Sequence, residues 1–373
     1  MRLDRKIRVL IVDDSAIVRK ILTEALAGEA DLEVVGSAPD PFVARDQILS
    51  LDPDVITLDI EMPRMDGLTF LKKLMHFHPM PAIVISSLAQ TSCRAALEAM
   101  SLGAVEVLAK PGGPYSVGEL RHSLAGKIRA AAAVRVRPGA PAPAPAEAGL
   151  LDGPGGIAKD MVIAIGASTG GTEAIAAVLA RFPQSTPGVL IVQHIPPEFS
   201  RAFAGRLNDK CRMEVREAKD GDALHPGLAL VAPGDTHMVL RRDRGVHAVS
   251  VRGGPRVCYQ RPSVDVLFLS VAETAGTRSV GVLLTGMGSD GARGLLKMRQ
   301  AGARTIAQDE ATCVVFGMPR EAVSLGAAEE VLSLSAIPAA ILARLTRGQP
   351  VSGPERSPQA SAKQAPARLG ALR

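Results

Sequence analysis

Two groups of residues in this sequence have types and spacings that chemistry can use. The first centres on Met161-Val-Ile-Ala-Ile-Gly-Ala-Ser-Thr-Gly-Gly-Thr172, an apolar run that ends in a glycine-rich turn carrying Ser168. Strand, turn and helix patterns follow one another here, so Ser168 stands past the carboxyl end of a buried strand, with the free N–H groups of a helix behind it. That setting suits a serine nucleophile whose developing oxyanion needs donors. Other readings compete for the same turn. Gly166 to Gly170 fits G-x-S-x-G, but an α/β-hydrolase would place its acid before its histidine and carry an HGGG-type motif. A phosphate loop would need a lysine after Gly171, and a serine capping an ordinary helix needs nothing more.

Matching settings recur later in the chain. Gly188–Val192 reads as a strand with Gln193 and His194 at its carboxyl end, and Val280–Thr285 as another, followed by Gly286-Met-Gly-Ser-Asp290-Gly291. Nucleophilic catalysis needs a hydroxyl, a base and a carboxylate that fixes the base's tautomer. Ser168, His194 and Asp290 fill those roles if their strands are neighbours. Backbone N–H groups of Met287 and Gly288 stand in the turn before Asp290 and offer oxyanion donors. His225 and His237 are alternative binding histidines, and Asp309 and Glu310 a second acid candidate whose position also suits capping.

The second group lies near the amino terminus. Asp13 and Asp14, Asp59, Ser86 and Lys110 each follow a separate apolar run. Three carboxylates on one rim repel unless a cation sits among them, and hard oxygen ligands select Mg²⁺. Asp59 would then attack a phosphoryl group, with the metal held by Asp13, Asp14 and Asp59, Lys110 pairing with a phosphoryl oxygen and Ser86 hydrogen-bonding the new phosphate. The bland alternative is that Asp13 and Asp14 cap the helix near Ala16 and Asp59 caps the Pro63 turn.

The elements that must position these groups alternate in βα order. Residues 7 to about 125 give five strands and five helices, a doubly wound parallel sheet whose site lies at the strands' carboxyl ends. Residues 157 to 349 repeat the βα periodicity. Between them, alternating Pro and Ala over 131–159 read as a semi-rigid linker, and the polar, Pro/Ala-rich segment from Pro350 reads as disordered. The expected division is 1–127, a linker over 128–156, a second domain over 157–349 and a tail over 350–373.

Composition narrows the class. With 373 residues, 47% of them hydrophobic, the chain can fill two cores. A 3% aromatic content without Trp argues against base-stacking platforms, and the net charge of +5 is spread rather than striped, so no nucleic-acid partner is expected. Four scattered cysteines, Cys93, Cys211, Cys258 and Cys313, form neither a zinc pattern nor a disulfide framework. Reduced thiols, no export signal and no run of transmembrane length imply a cytoplasmic protein without membrane insertion.

These stretches carry a resemblance. Val12-Asp-Asp-Ser15, Asp59-Ile-Glu-Met-Pro-Arg-Met-Asp-Gly67 and Ala109-Lys110-Pro111 resemble the receiver domain of response regulators, which implies a flavodoxin-like (βα)5 fold with Asp59 as phosphoacceptor. The aromatic residue common in receivers three positions before the lysine is Val107 here. The Ser168, His194 and Asp290 stretches, with Ala232-Pro-Gly-Asp-Thr-His-Met238, Arg261-Pro-Ser-Val-Asp-Val-Leu-Phe268 and Ala307-Gln-Asp-Glu-Ala-Thr-Cys313, resemble the catalytic domain of the chemotaxis protein-glutamate methylesterases.

That resemblance implies a Rossmann-like parallel α/β hydrolase with Ser168, His194 and Asp290 as the triad. Met287 would supply an oxyanion N–H and Thr169 assist. Methyl-accepting chemoreceptors are the implied substrate, glutamine deamidation a further activity, and a chemotaxis-type histidine kinase the phosphodonor. The esterase itself would need no cofactor. A receiver-controlled adaptor that binds receptors without turnover is the alternative from another class.

Overall fold

The computed structural model describes residues 5–110, 124–134 and 160–345. The expected tail and most of the expected linker lie outside the described residues, as do residues 111–123. The first unit comprises β1 (Ile7–Val12), α1 (Ala16–Leu26), β2 (Leu32–Ala38), α2 (Pro41–Leu51), β3 (Val55–Asp59), α3 (Gly67–Phe77), β4 (Ala82–Ser86), α4 (Gln90–Ser101), β5 (Glu106–Ala109) and the helical segment α5 (124–132). The second comprises β6 (Val162–Ala167), α6 (Gly171–Leu179), β7 (Gly188–Gln193), α7 (Phe199–Lys210), β8 (Glu214–Glu217), β9 (Leu228–Val231), β10 (His237–Asp243), β11 (Val246–Arg252), α8 (Val264–Thr274), β12 (Ser279–Leu283), α9 (Ala292–Gln300), β13 (Arg304–Gln308), α10 (Met318–Ser324), β14 (Glu330–Leu332) and α11 (Ile337–Arg344).

Strands buried on both faces read as near-continuous apolar runs, which is why β1, β4, β6 and β7 stand out in the sequence. They build a five-stranded parallel sheet of order β2-β1-β3-β4-β5 and a seven-stranded parallel sheet of order β14-β13-β12-β6-β7-β9-β8. In the second sheet β6 is the switch point, with β7 on one side and β12 on the other. The hairpin of β10 and β11 forms a separate antiparallel pair, an element that βα periodicity does not announce.

Polar caps set the helix starts. Ser15 accepts from Val18 N at α1, Asp40 from Phe42 N and Val43 N at α2, and Asp66 from Thr69 N at α3. Leu124, Ala125, Ile128 and Ala131 of α5 are buried in the first unit's core, so this helix packs past residue 127.

The two units share packed surface. Leu97 and Met100 of α4 and Phe203 and Leu207 of α7 belong to one continuous apolar cluster. Above it, Arg206 donates to Leu97 O at 3.2 Å and to Ser101 Oγ at 2.5 Å.

Candidate active site and acceptor pocket

β12, β6 and β7 are consecutive in the sheet, and their carboxyl ends carry Asp290, Ser168 and His194 in that order. Backbone bonds tie the three ends together: Ser168 N to Thr285 O at 3.0 Å, and His194 N to Ala167 O at 3.1 Å. Ser168 and His194 are each 7% exposed and Asp290 2%. The neighbouring-strand condition set by the sequence is therefore met.

His194 Nε2 lies 2.8 Å from Asp290 Oδ2. That contact fixes Nε2 as the protonated nitrogen and leaves Nδ1, which is buried and has no hydrogen-bond partner among the described residues. Asp290 is itself cradled by the start of α8: Oδ1 accepts from Ser263 Oγ at 2.8 Å and Asp265 N at 3.0 Å, and Oδ2 accepts from Val264 N at 2.7 Å. Burial pushes this carboxyl upward, but the His194 contact and the Asp265 and Val264 N–H groups outweigh it and hold Asp290 below its ordinary value. A carboxylate held ionised beside an imidazole stabilises the cation that forms when the imidazole accepts a proton.

The nucleophile's turn is held from below by Gln193, whose Nε2 donates to Ser168 O at 2.8 Å and to His194 O at 3.2 Å. One buried amide thereby spaces the ends of β6 and β7. Gly170 has φ +77, and Gly171 N closes the turn onto Ser168 O at 2.7 Å. Thr169 is buried and points its hydroxyl at Glu106 of β5, 2.7 Å away. Met287 is 36% exposed, and its Cε lies 3.0 Å from where a Cβ on Gly126 of α5 would stand.

The other candidates fall elsewhere. His237 is buried but structural, with Nε2 on Pro255 O at 2.9 Å and Nδ1 accepting from Ser263 N at 3.2 Å. His225 is exposed on Pro226 O, and Asp309 accepts from Thr312 N at 3.0 Å in a tight turn; it caps no helix, because α10 starts at Met318 with Gly317 as its N-cap. Gln193, Ser263 and Glu106 are the contributors that motif reading leaves unassigned. Ser263 had a signal, a serine opening an apolar helix pattern; Glu106 had none, because its partner lies 63 residues away.

At the first sheet, Asp13, Asp14 and Asp59 bring carboxylate oxygens within 4.8 Å of one another. Ser15 takes the α1 cap, and Asp13 Oδ1 accepts from Ser15 N at 2.9 Å, so neither Asp13 nor Asp14 caps that helix. Lys110 Nζ lies 2.6 Å from Asp59 Oδ2 and 3.2 Å from Asp13 Oδ2. Burial pushes Asp59 up to about 6, with the nearby Asp13 charge adding to it against the Lys110 hydrogen bond. Burial likewise raises Asp13. Such crowding of buried carboxyls around one ammonium fits a site that takes a hard divalent cation. Ser86 is fully buried and its hydroxyl turns to Ser92 O at 3.4 Å.

Comparison with known proteins adds identity to this geometry. The profile of the CheB methylesterase family matches residues 163–341, and that of the response regulator receiver domain residues 9–121. A protein-glutamate methylesterase/protein-glutamine glutaminase 2 of Syntrophus aciditrophicus is 56% identical over 89% of this chain and 97% of its own length. Number 4 of Anaeromyxobacter dehalogenans is 54% identical over 91% and 95%, and the Salmonella typhimurium protein of that type 52% over 93% and 99%. By these full-length matches, and with a receiver preceding the catalytic sheet, the chain belongs to the CheB methylesterase family.

Proposed function

We propose that this chain is a receiver-regulated protein-glutamate methylesterase and protein-glutamine glutaminase in which Ser168, His194 and Asp290 do the chemistry. The carrying observation is that His194 is locked through Nε2 to a buried carboxylate while its Nδ1 stays unpartnered at the switch-point rim. Ser168 Oγ attacks the γ-carbonyl of a glutamyl methyl ester as Nδ1 takes its proton; the same proton passes to the departing methoxide, giving methanol. Water, deprotonated by Nδ1, then cleaves the acyl-enzyme to glutamate and free Ser168. A glutamine amide follows the same course with ammonia leaving. N–H groups at Met287 and the start of α6 face the developing oxyanion, with Thr169 supporting the turn.

Asp59 is the proposed phosphoacceptor. Asp13, Asp14 and Asp59 would hold Mg²⁺, whose role when bound is to neutralise phosphoryl oxygens. Lys110 pairs with the acceptor side chain, and Ser86 would meet the phosphate once Asp59 carries it. The substrate is a methyl-accepting chemoreceptor, the phosphodonor a chemotaxis-type histidine kinase, and the compartment the cytoplasm; the division is a receiver over 1–127 and an esterase over 157–349. No helix among the described residues is long and apolar enough to cross a membrane. Unphosphorylated, the receiver sits over the site through Glu106 and α5, and phosphorylation shifts the population toward an open form.

The test is methanol release from a methylated receptor cytoplasmic fragment, with Ser168→Ala as blank. Release that rises with Mg²⁺ and a small phosphodonor and vanishes in the blank is the expected result. No release from folded protein with a valid fragment would instead support the binding-only adaptor.

A further inference from the structure

Beside the triad's carboxylate stands a turn whose sequence works against its own backbone. Val257 and Gln260 pair across it, Val257 N to Gln260 O at 3.1 Å and Gln260 N to Val257 O at 2.8 Å. The two residues between them, Cys258 and Tyr259, both have left-handed φ, 49° and 63°. Two-residue hairpin turns of this kind select Asn, Asp or Gly; a Tyr there is strained. The turn is nevertheless held firmly. Arg261 donates Nε to Asp235 Oδ1 at 2.9 Å and Nη1 to Gly254 O at 2.7 Å, bracing both flanks. What this braced turn presents is Tyr259, 89% exposed and the most exposed large hydrophobic side chain described.

The turn is continuous with the active site. Cys258 Sγ lies within 4.8 Å of carboxylate oxygens of Asp265 and Asp290. On the other flank is Arg293, in the first turn of α9 and three residues from Asp290. It is exposed and forms no ion pair among the described residues. A cation at a helix amino terminus opposes the helix dipole, and here its charge acts instead on the neighbouring Asp265 carboxyl and Cys258 thiol. A strained turn that leaves Tyr259 exposed, beside an exposed cation on the same rim, marks a surface kept for a partner.

The geometry points to Tyr259 and Arg293 as the docking surface for the acidic receptor segment that flanks the target glutamyl ester. This deepens the esterase reading and rests on it. Each turnover converts a neutral ester into a carboxylate, and the exposed Arg293 guanidinium complements such a product where it flanks a further target. A rigid, exposed Tyr adds contact area at little entropic cost.

The experiment measures two things on the full chain, in Mg²⁺ and a small acyl phosphate, with a methylated receptor cytoplasmic fragment. Methanol release by otherwise wild-type protein gives KM and kcat, and calorimetric binding by a Ser168→Ala background gives Kd. Tyr259→Gly and Arg293→Glu should each raise KM and Kd by about ten-fold and leave kcat within about two-fold, the signature of lost uniform binding. Tyr259→Phe and Arg293→Lys should restore most of it, and salt should raise KM less in Arg293→Glu than in the wild type. Tyr259→Gly should also raise the melting temperature, because glycine relieves the left-handed strain, so misfolding would not mimic the result. Unchanged KM and Kd, or a fall in kcat alone, overturns the docking surface. Absence of methanol release by the wild type, with intact binding that Tyr259→Gly weakens, overturns the esterase reading and leaves the surface standing.

Discussion

Glu106, on a strand of the receiver sheet, accepts a 2.7 Å hydrogen bond from Thr169, the residue next to the nucleophile. Both side chains are buried, and Lys127 of α5 closes the group at 3.2 Å from the same Glu106 oxygen, Oε2. Glu106 lies four residues before Lys110, which reaches Asp59. Acceptor pocket and hydrolytic turn are thus joined through one short strand. Two sites share an equilibrium only if each favours different states of a common element, and in the proposed regulation β5 with its Glu106 contact is that element.

Glu106→Ala should therefore raise methanol release in the absence of phosphodonor. A hydrogen bond to a charged group is worth about 1.5–3 kcal/mol, so the open fraction should grow about ten-fold or more. Release at saturating phosphodonor should stay near the wild-type value. Arg206→Ala, which frees α7 from Ser101 and Leu97 of α4, should act in the same direction. Unchanged basal release in both variants would mean that the interface does not restrain the enzyme.

Asp290→Asn should lower kcat by roughly 10⁴, because Ser263 Oγ and Asp265 N hold the amide oxygen and turn its NH2 toward His194, so that Nε2 becomes the acceptor and Nδ1 the protonated nitrogen. KM on the receptor fragment should move little. The same carboxyl makes stability pH-dependent. Its folded value lies below the unfolded one, so it contributes stability that is fully present above the ordinary carboxylate range and is lost as pH falls through the folded value. Acid unfolding monitored by circular dichroism should accordingly begin at higher pH in Ser263→Ala, which removes one donor to Oδ1. Coincident acid transitions would show that Ser263 does not support Asp290.

How much of this was readable beforehand depends on the range of the interaction. The strands β1, β4 and β7 and the residues at their carboxyl ends were legible because a doubly buried strand leaves an unbroken apolar run with polar punctuation. That Asp290, Ser168 and His194 would meet required β12, β6 and β7 to be adjacent, which periodicity suggests and only the sheet order supplies. The β10–β11 hairpin escaped βα counting, since it interrupts the alternation with an antiparallel pair. Gln193 was visible as a polar residue at a strand end, but its double bond to Ser168 O and His194 O depends on side-chain direction. Glu106 looked like an ordinary strand residue, and its role exists only where the two units meet.

The acceptor pocket predicts a stability response of opposite sign to that of Asp290. Asp59, at about 6 when folded and 3.8 in its ordinary state, binds its proton more tightly in the native protein. Without divalent cation, stability should decline as pH rises from about 4 through about 6. Asp59→Asn should then raise the melting temperature of the metal-free protein at pH 7. Mg²⁺ at about 100 times its Kd should stabilise the wild type by about 2.7 kcal/mol. In Asp59→Asn that gain should shrink. A Mg²⁺-induced shift of equal size in both proteins would place the cation elsewhere.

Gly171→Ala tests the support beneath the nucleophile. A Cβ there would stand 2.1 Å from Gln193 Oε1 and 2.6 Å from the Ala167 Cβ, distances that no real contact tolerates. The amide must swing away, which breaks its bonds to Ser168 O and His194 O and lets the ends of β6 and β7 move apart. Misplacement of about 1 Å in reacting groups costs about 100-fold, so kcat should fall by that order. Gln193→Ala removes the same two bonds without overpacking, and should lower kcat similarly with a smaller loss of melting temperature. Adding Gly171→Ala to Gln193→Ala should cost less kcat than Gly171→Ala does alone, since the clash with Gln193 is gone and only that with the Ala167 Cβ remains, so the two effects are not additive. Full additivity of the pair would show that Gly171 acts on Ser168 by another route, through the backbone of α6.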